Sequence, residues 1–396
     1  MPKYFYPLVE NPYRKKDIND AIKVLKTNQL TSGPKIIKFQ SLFSKKINIK
    51  NSLMVNSGSS ANLLALQCLI NPYRKKRLQK GDEVLIPALC WSTSLWPIIQ
   101  SGLKPKFVDV DVDTLNININ DLRRKITKKT KALMLVHVLG NCTDMTQLIK
   151  TVKKNKLILI EDTCESLGSK YKNKYLGSFG DFSSFSFYTS HQISSGEGGM
   201  ISCKDKNDLE ILKSLRQHGW SRGLIKENQI ARKNKNLDKR FIFYNSGFNL
   251  RSTDIAASIG FSQFKDLNSF IRVRSENRKN IINKIDNNKK VKENFSILKE
   301  NKNVKASWFG IPIILSKKLN RKKVVLKLEK NGIETRPIIS GNFLKQPAIK
   351  RYKIKTNLNL KNADYADKHG LYIGLPNKKI DNRNLKKLIS AFEKSI

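Results

Sequence analysis

One histidine of this sequence lies where it could act as a catalytic base. His191 follows a β-rich run, Ser183–Phe187, and precedes Gly196-Glu197-Gly198-Gly199, so it occupies a polar turn flanked by glycines. An imidazole titrates near neutral pH and can take up and release a proton within one reaction. An isolated histidine more often has a structural role, but this setting favours a functional one.

A run of small residues could bind a phosphate group. Asn56-Ser57-Gly58-Ser59-Ser60-Ala61-Asn62 lies between a predicted strand, Ser52–Asn56, and a predicted helix, Ser59–Ile70. Small side chains let the backbone approach a ligand, and the first turn of a helix offers N–H groups that have no intrahelical partner. The sequence therefore offers a phosphate site here, although Ser59 could equally be a simple helix cap.

Two acidic residues come at the end of a predicted buried strand. Leu157–Glu161 is apolar on both faces, as is typical of a central strand in a parallel sheet, and Asp162 follows it. Ligands of open α/β sheets bind at the carboxyl ends of the strands. A carboxylate there could pair with a protonated ring nitrogen, and Glu165 is close enough in sequence to serve the same pocket. A capping or solvated acid is the alternative.

Three arginines and a second histidine are candidates for binding an anionic substrate. Arg222, Arg251 and Arg336 carry guanidinium groups, whose geometry suits phosphate oxygens. His218 could line a pocket. Surface ion pairs are an equally good explanation for each arginine.

The elements that must position these residues alternate between strands and helices. Short apolar runs at Glu83–Pro87, Pro105–Val108 and Ala132–Val136 are separated by segments with helical spacing. This β-α-β-α order predicts an α/β fold with a large, mostly parallel sheet covered by helices. The basic stretch Ser221–Arg240 is predicted to be a surface loop.

The character of the chain changes after a long predicted helix, Leu267–Ile285. We therefore predict two domains: a large one at 1–270, with an N-terminal arm, and a smaller α+β one at 271–396.

The amino-acid composition bears on two questions: the cellular location of the protein and the cause of its high positive charge. Lys plus Arg number 76 against 32 acidic residues, a formal net charge of +44. That excess could serve nucleic acid, an anionic membrane or a phosphorylated ligand, but the lysines are spread along the chain, which favours compositional drift. Five scattered cysteines and the lack of a signal-like or membrane-spanning apolar run predict a cytoplasmic protein with reduced thiols.

Taken together, these segments resemble the DegT-type sugar-nucleotide aminotransferases. The resemblance covers nearly the whole chain and rests on the Ser-Gly-Ser-Ser-Ala-Asn block, Gly81–Pro87, Phe107–Asp111, Glu161-Asp162 and the Gly196–Gly199 block. It implies the type I fold of pyridoxal 5'-phosphate-dependent transferases, of which aspartate aminotransferase is the model, with the cofactor bound to the large domain.

The resemblance also implies roles for particular residues. Gly58, Ser59 and Ser186 would hold the cofactor phosphate, and Trp91 would stack on its pyridine ring. Asp162 would pair with the ring nitrogen and keep the ring an electron sink. Asn249 would reach the phosphate of the partner subunit, so a homodimer is expected.

The main departure from the aminotransferases is at His191. They carry at this position a lysine that forms a Schiff base with the cofactor, and imidazole cannot form a stable one. The same change, with Glu165 in place of a glutamine, marks a branch that resembles 4-keto-6-deoxyhexose 3-dehydratases. One type in that branch binds an iron–sulfur cluster, but Arg216–Phe248 contains no cysteine, so we expect neither cluster nor metal.

The resemblance thus implies a dehydratase that uses pyridoxal or pyridoxamine 5'-phosphate in deoxysugar and O-antigen biosynthesis. The expected substrate is a nucleotide-linked 4-keto-6-deoxyhexose, first of all GDP-4-keto-6-deoxy-D-mannose, with glutamate as amino donor; a CDP-sugar is the alternative. Rival interpretations are an aminotransferase with another base, a regulatory protein that kept only the fold, and a nucleic-acid binder. The first of these would need a nearby lysine such as Lys170, Lys172 or Lys174.

Overall fold

The computed structural model describes residues 4–354 and 359–396. Its strands are β1 (Asn51–Val55), β2 (Glu83–Pro87), β3 (Lys104–Val108), β4 (Thr130–Val136), β5 (Ile158–Asp162), β6 (Lys170–Tyr171), β7 (Lys174–Tyr175), β8 (Phe182–Ser186), β9 (Gly199–Cys203), β10 (Phe295–Ile297), β11 (Val304–Lys305), β12 (Ile311–Leu315), β13 (Thr335–Pro337) and β14 (Gly370–Ile373).

Its α-helices are α1 (Lys15–Leu25), α2 (Pro34–Ile47), α3 (Gly58–Leu69), α4 (Ser92–Gln100), α5 (Ile119–Lys125), α6 (Met145–Lys154), α7 (Lys206–Arg216), α8 (Glu227–Lys233), α9 (Asp254–Lys265), α10 (Leu267–Asp286), α11 (Lys289–Asn294), α12 (Arg321–Lys330), α13 (Pro347–Arg351), α14 (Lys361–His369) and α15 (Asn382–Glu393).

The large sheet confirms the predicted α/β class. Its strand order is β1-β9-β8-β5-β4-β2-β3, and the pairs from β8 to β3 are all parallel. Strand β9 pairs antiparallel with both β8 and β1, so it alone of these strands runs against the others. Because the remaining strands share one direction, their carboxyl ends, and the loops that follow them, meet at one edge of the sheet.

Both faces of this sheet are buried, which explains its continuous apolar strands. Consecutive residues of one strand, such as Leu133 and Met134, belong to different apolar clusters on opposite faces of the sheet. Helices α3, α4 and α7 contribute to one cluster, and α5 and α6 to the other. The second cluster also includes residues of a smaller antiparallel sheet with the order β10-β12-β14-β13.

Most predicted elements agree with the structure to within two residues. Ser221–Arg240 lies mostly exposed at the surface, as predicted, but it is not all loop. That stretch contains α8, and Leu224, Ile230 and Ile242 pack into a small apolar cluster of their own. The cluster explains why a chain so rich in lysine folds back on itself here. The division near residue 270 stays a prediction; α10 spans that position.

None of the helices in the described ranges is both long and apolar enough to cross a membrane.

The carboxyl end of β5 is anchored by a buried carboxylate. Glu161, fully buried, accepts hydrogen bonds from His137 Nε2 at 2.9 Å and from the backbone N–H groups of Gly177, Phe179 and Gly180 at 2.9, 2.7 and 2.6 Å. Burial alone would raise the pKa of Glu161, but the hydrogen bonds from His137 and the amides outweigh it and hold the pKa below its ordinary value. The network ties β5 to the loop that leads into β8.

Replacing Glu161 by Gln should destabilise the fold by about 3 kcal/mol, because an amide –NH₂ would then face backbone donors in a buried site. The free energy of unfolding in urea measures this loss. Since the pKa of Glu161 is lowered on folding, its stabilisation is present above pH 4.5 and is lost as pH falls through the lower folded value.

Glu276→Gln is the control, because Glu276 is a half-exposed acid of α10 in a surface ion pair. It should change the free energy of unfolding by less than ~1 kcal/mol. An equally small effect for Glu161→Gln would contradict the anchoring role.

Candidate active site

A cavity of about 640 Å³ opens at the carboxyl edge of the large sheet. Eight of the predicted site residues line it: Gly58, Ser59, Trp91, Asp162, Glu165, Ser186, His191 and Arg336. They come from the start of α3, the start of α4, the ends of β5 and β8, and β13. The fold thus brings together residues that lie far apart in the sequence.

The start of α3 forms a close-fitting cradle. A Cβ at Gly58 would lie 2.7 Å from Cys164 Sγ and 2.8 Å from Ser186 Cβ, so only glycine fits between β5 and β8. Ser57 caps the helix by accepting the N–H of Ser60 at 3.1 Å, and Ser59 Oγ lies 2.9 Å from Thr93 Oγ1. Backbone N–H groups and hydroxyls therefore converge on one small region, as an anion site requires.

Asp162 is held by neighbours on three elements. Its Oδ2 accepts hydrogen bonds from Asn62 Nδ2 at 2.8 Å and from Ser94 Oγ at 2.7 Å, and its Oδ1 accepts from the N–H of Cys164 at 3.2 Å. These donors hold both carboxylate oxygens and leave the group little freedom to rotate. The group can therefore serve as a fixed negative charge facing a cation in the cavity.

Glu165 has a different environment from Asp162. It accepts one backbone hydrogen bond, from Leu139 N–H at 2.8 Å. Burial, together with the negative charge of Asp162, raises the pKa of Glu165 to about 7. Near neutral pH this carboxyl group can thus donate as well as accept a hydrogen bond.

His191 is oriented by a backbone carbonyl. Its Nδ1 lies 2.7 Å from the carbonyl oxygen of Cys164. A carbonyl can only accept, so Nδ1 carries the proton and, in the neutral ring, Nε2 is left with its lone pair. The ring of Phe309 packs against the imidazole with 5.0 Å between centroids. Burial lowers the pKa of His191 to about 4, so the neutral form is populated near pH 7.

Within the described residues, no lysine lines this cavity. Lys170 and Lys174 lie on β6 and β7, and Lys172 lies in the turn between them. The lysines that would serve as the base of an aminotransferase therefore lie on a separate small hairpin.

Four further predicted residues do not line the cavity of a single chain: Asn249, His218, Arg222 and Arg251. Three of them form a cluster beside the end of β1. Arg251 Nε donates to Asn249 Oδ1 at 3.2 Å, and an Nη of Arg251 lies 3.3 Å from His218 Nε2. Their roles stay predictions, because the proposed role of Asn249 needs a second chain.

Sequence reasoning missed several residues that shape the site. Asn62 and Ser94 hold Asp162; Asn62 belongs to the small-residue run, and its place one turn into α3 could have suggested this. Phe309 and Tyr372 line the cavity from the second sheet, and no local pattern in the sequence points to them. Glu334, which pairs with Arg336 at 2.8 Å, was also missed.

The lining fits a pyridoxal-type cofactor. The glycine cradle at α3 can receive a phosphate, Asp162 can pair with a ring nitrogen, and Asn62 Oδ1 is buried without a hydrogen-bond partner in the described chain. The indole of Trp91 is 56% exposed at the start of α4 and free to stack on a ring. Residues suited to phosphate, ring and stacking contacts therefore all line this cavity.

A family model described as the DegT/DnrJ/EryC1/StrS aminotransferase family matches residues 12–392. GDP-4-keto-6-deoxy-D-mannose 3-dehydratase of Escherichia coli O55:H7 (strain CB9615 / EPEC) is 37% identical over 374 residues, covering 93% of this chain and 95% of that protein. The enzyme of the same name from Yersinia pseudotuberculosis is 36% identical over 400 residues, covering 98% of each.

Solved structures give the same picture. E. coli GDP-4-keto-6-deoxy-D-mannose-3-dehydratase with bound hydrated PLP superposes with a TM-score of 0.91 at 35% identity, covering 99% of this chain and 100% of that one. A histidine-to-asparagine variant of GDP-4-keto-6-deoxymannose-3-dehydratase with bound GDP-perosamine, and the enzyme with a trapped PLP-glutamate geminal diamine, each superpose with a TM-score of 0.90 at 35% identity, covering 98% and 100%.

Gly58→Ala should weaken binding of pyridoxal 5'-phosphate at least tenfold, about 1.4 kcal/mol, because the new methyl group would force α3 away from β5 and β8. Absorbance titration of the purified protein measures the dissociation constant. Gly223→Ala is the control for backbone strain away from the cavity: Gly223 has a φ of +80°, which alanine rarely adopts, but a Cβ there meets nothing within 4 Å and the residue does not line the cavity. An unchanged dissociation constant for Gly58→Ala would contradict the cradle.

Proposed function

This chain belongs to the DegT/DnrJ/EryC1/StrS aminotransferase family, and we propose that it is a 3-dehydratase of a nucleotide-linked 4-keto-6-deoxyhexose, with GDP-4-keto-6-deoxy-D-mannose as its substrate. The observation that carries this proposal is the neutral, carbonyl-oriented imidazole of His191 in a cavity that no lysine of the described chain lines. Such a site has a base for moving protons but no amine for a covalent link to the cofactor. The two relatives reported above, which carry the 3-dehydratase name, support the same assignment.

Pyridoxamine 5'-phosphate, when bound, supplies an amine that condenses with the C4 ketone of the sugar and a ring that accepts the electrons released on deprotonation. Asp162 keeps the ring nitrogen protonated, because its carboxylate is fixed by Asn62 and Ser94. The start of α3, with Gly58 and Ser59, would bind the phosphate, Ser186 would add a hydroxyl, and Trp91 would stack on the ring. These contacts replace the covalent anchor that a lysine would provide.

His191 moves the proton. With Nδ1 donating to the Cys164 carbonyl, Nε2 is free to remove a proton from the C4′ carbon of the cofactor. The resulting imidazolium can then protonate the C3 hydroxyl so that it leaves as water. A single residue thus acts as base and then as acid, which requires a ring that is neutral at rest.

Glu165 supplies a hydrogen bond that a charged carboxylate could not. Because its pKa is raised to about 7, a large share of it is protonated near neutral pH. Its O–H can then donate to a cofactor oxygen, as the amide of the glutamine in the related aminotransferases would.

The substrates follow from the same site. Glutamate restores the amine form of the cofactor, and a GDP-sugar places its diphosphate near the cavity mouth, where Arg336 lies half exposed beside Glu334. His218, Arg222 and Arg251 would contact the substrate as well. The similar enzyme solved with GDP-perosamine and the one solved with a PLP-glutamate adduct support these two assignments.

The active unit in this proposal is a homodimer. Asn249, Arg251 and His218 form a polar, partly exposed cluster outside the cavity of their own chain. In a twofold dimer such a cluster can reach the phosphate region of the partner. We also propose a cytoplasmic location, which the five free cysteines support.

The dehydratase activity can be tested by mass spectrometry. Purified protein is incubated with pyridoxamine 5'-phosphate, glutamate and a panel of GDP-, CDP- and dTDP-linked 4-keto-6-deoxyhexoses. We expect loss of the C3 oxygen from the GDP-linked sugar. His191→Asn should bind cofactor as tightly as the wild type and reduce turnover by at least ~10³-fold, since the general base is lost.

A stable aminated sugar as product would instead establish an aminotransferase. Wild-type turnover by the folded His191→Asn variant would refute His191 as the base. Conversion of only a CDP-linked sugar would correct the nucleotide and leave the reaction class standing.

The shared site can be tested by mixing two inactive variants. Homodimers of His191→Asn and of Asn249→Ala should each be impaired. After reversible dissociation and mixing, heterodimers contain one site built from two intact contributions, so about a quarter of wild-type activity should return. Activity no higher than the sum of the separate variants would contradict a site shared between chains.

A further inference from the structure

Helix α10 carries a buried cation behind the wall of the cavity. Arg274 is only 5% exposed. Its guanidinium donates to the carbonyl oxygen of Trp308 from Nε at 3.1 Å and from Nη2 at 2.5 Å, to that of Phe309 at 2.7 Å, and to that of Leu375 at 2.5 Å. A further bond reaches Asn377 Oδ1 at 3.2 Å.

None of the ion pairs among the described residues includes Arg274. Burial of a charge without an opposite charge is costly, and here carbonyl dipoles are what stabilises it. Burial lowers the pKa of Arg274 only to about 10, so the group stays positively charged at neutral pH. A positive charge therefore sits permanently behind the cavity.

The carbonyls that Arg274 binds belong to segments that form the cavity wall. Phe309 precedes β12, lines the cavity, and packs on His191 with 5.0 Å between ring centroids. It also contacts Tyr372 of β14, at 5.9 Å between centroids. Leu375 follows Gly374, which lines the cavity too. One side chain thus joins α10 to two segments beside the second sheet that contribute lining residues to the cavity.

The charge of Arg274 acts on His191 as well. The other titratable groups that line the cavity with the imidazole are Asp162, Cys164, Glu165, Tyr188, Glu197, Glu334, Arg336 and Tyr372. Burial lowers the pKa of His191 most; the Cys164 carbonyl and Asp162 raise it, and the positive charge of Arg274 lowers it. Arg274 therefore opposes the effect of Asp162.

We propose that Arg274 is a positioning residue for the base: by binding the backbone carbonyls of Trp308 and Phe309 it holds the Phe309 ring against the imidazole, and it places a positive charge behind this wall of the cavity. The proposal rests on the function assigned to His191, but the arrangement itself can be measured without any turnover. The chain offers a matched control in Arg278, one turn along α10. Arg278 also binds a carbonyl, that of Leu298, and stacks on Trp308 at 4.3 Å, but it does not touch Phe309.

The test is a histidine titration by NMR on the full, cofactor-free protein labelled with ¹⁵N-histidine. The chain has four histidines, so the His191 signal can be assigned from its absence in His191→Asn. Arg274→Gln should raise the pKa of His191 by more than the ~0.3 units set as the limit for the control, because a positive charge behind the cavity is removed. Arg278→Gln should leave it within ~0.3 units of the wild type.

Arg274→Lys separates charge from geometry. The ammonium keeps the charge but cannot bind three carbonyls in the fixed fork of a guanidinium. We expect a His191 pKa like that of the wild type, a weakened NOE between the Phe309 and His191 rings, and a kcat about tenfold lower with little change in KM. This variant also decides the question if Arg274→Gln fails to fold.

A folded Arg274→Gln protein with the wild-type His191 titration would overturn the proposal, as would an equal shift in Arg278→Gln. A raised His191 pKa in Arg274→Lys would overturn it too, because the charge is retained there. If the wild-type protein shows the expected titrations but no dehydration of any sugar nucleotide, the function proposed for the site fails while the positioning role stands.

Discussion

Two neighbouring carboxylates at the end of β5 point to opposite faces of one buried strand, and the site depends on this alternation. Glu161 faces the second apolar cluster and anchors the loop at Gly177–Gly180, while Asp162 faces the cavity. The residues after Asp162 bind the turn that contains His191. The Cys164 carbonyl accepts a hydrogen bond from His191 Nδ1, and the Glu165 carbonyl accepts one from Gln192 Nε2. A single segment therefore holds the fixed anion and also orients the base.

Replacement of lysine by histidine changes what the rest of the site must do. A covalently linked cofactor is positioned by its bond to the protein, whereas in the proposed function its position would have to come from the α3 cradle, Asp162 and Trp91. The structure supplies this with close packing at Gly58 and with donors that hold Asp162 rigidly. In the proposed function His191 would have to stay neutral beside an aspartate, and burial is the main cause of its lowered pKa.

The sequence predicted those parts of the site that depend on local pattern. Three features lie at or just after the end of a strand: the small-residue run at the start of α3, the acid that ends β5, and the histidine before the glycine block. The spacing of apolar residues and the turn-forming residues in the sequence are enough to locate them. Phe309, Tyr372 and Arg274 come from the second sheet and α10, and only tertiary packing brings them to His191. The helix α8 was missed because it is short and its only apolar residues are Ile230 and Ala231. Ile230 packs with Leu224 and Ile242, which lie outside the helix, in a small cluster.

Charge is distributed unevenly between the cavity and the rest of the chain. Although the protein carries a formal +44, the charged side chains that line the described cavity are four acids, Asp162, Glu165, Glu197 and Glu334, and one arginine, Arg336. A phosphate in the cavity must therefore rely on the N–H groups at the start of α3 and on cations from outside this set. The cluster around Arg251 lies outside this cavity and is basic, which is what a partner subunit would need to contribute. The net positive charge of the protein can attract anionic substrates from solution. Because the cavity itself is lined mainly by acids, binding of a phosphate there would depend on the N–H groups at the start of α3 and on the few cations that reach the site.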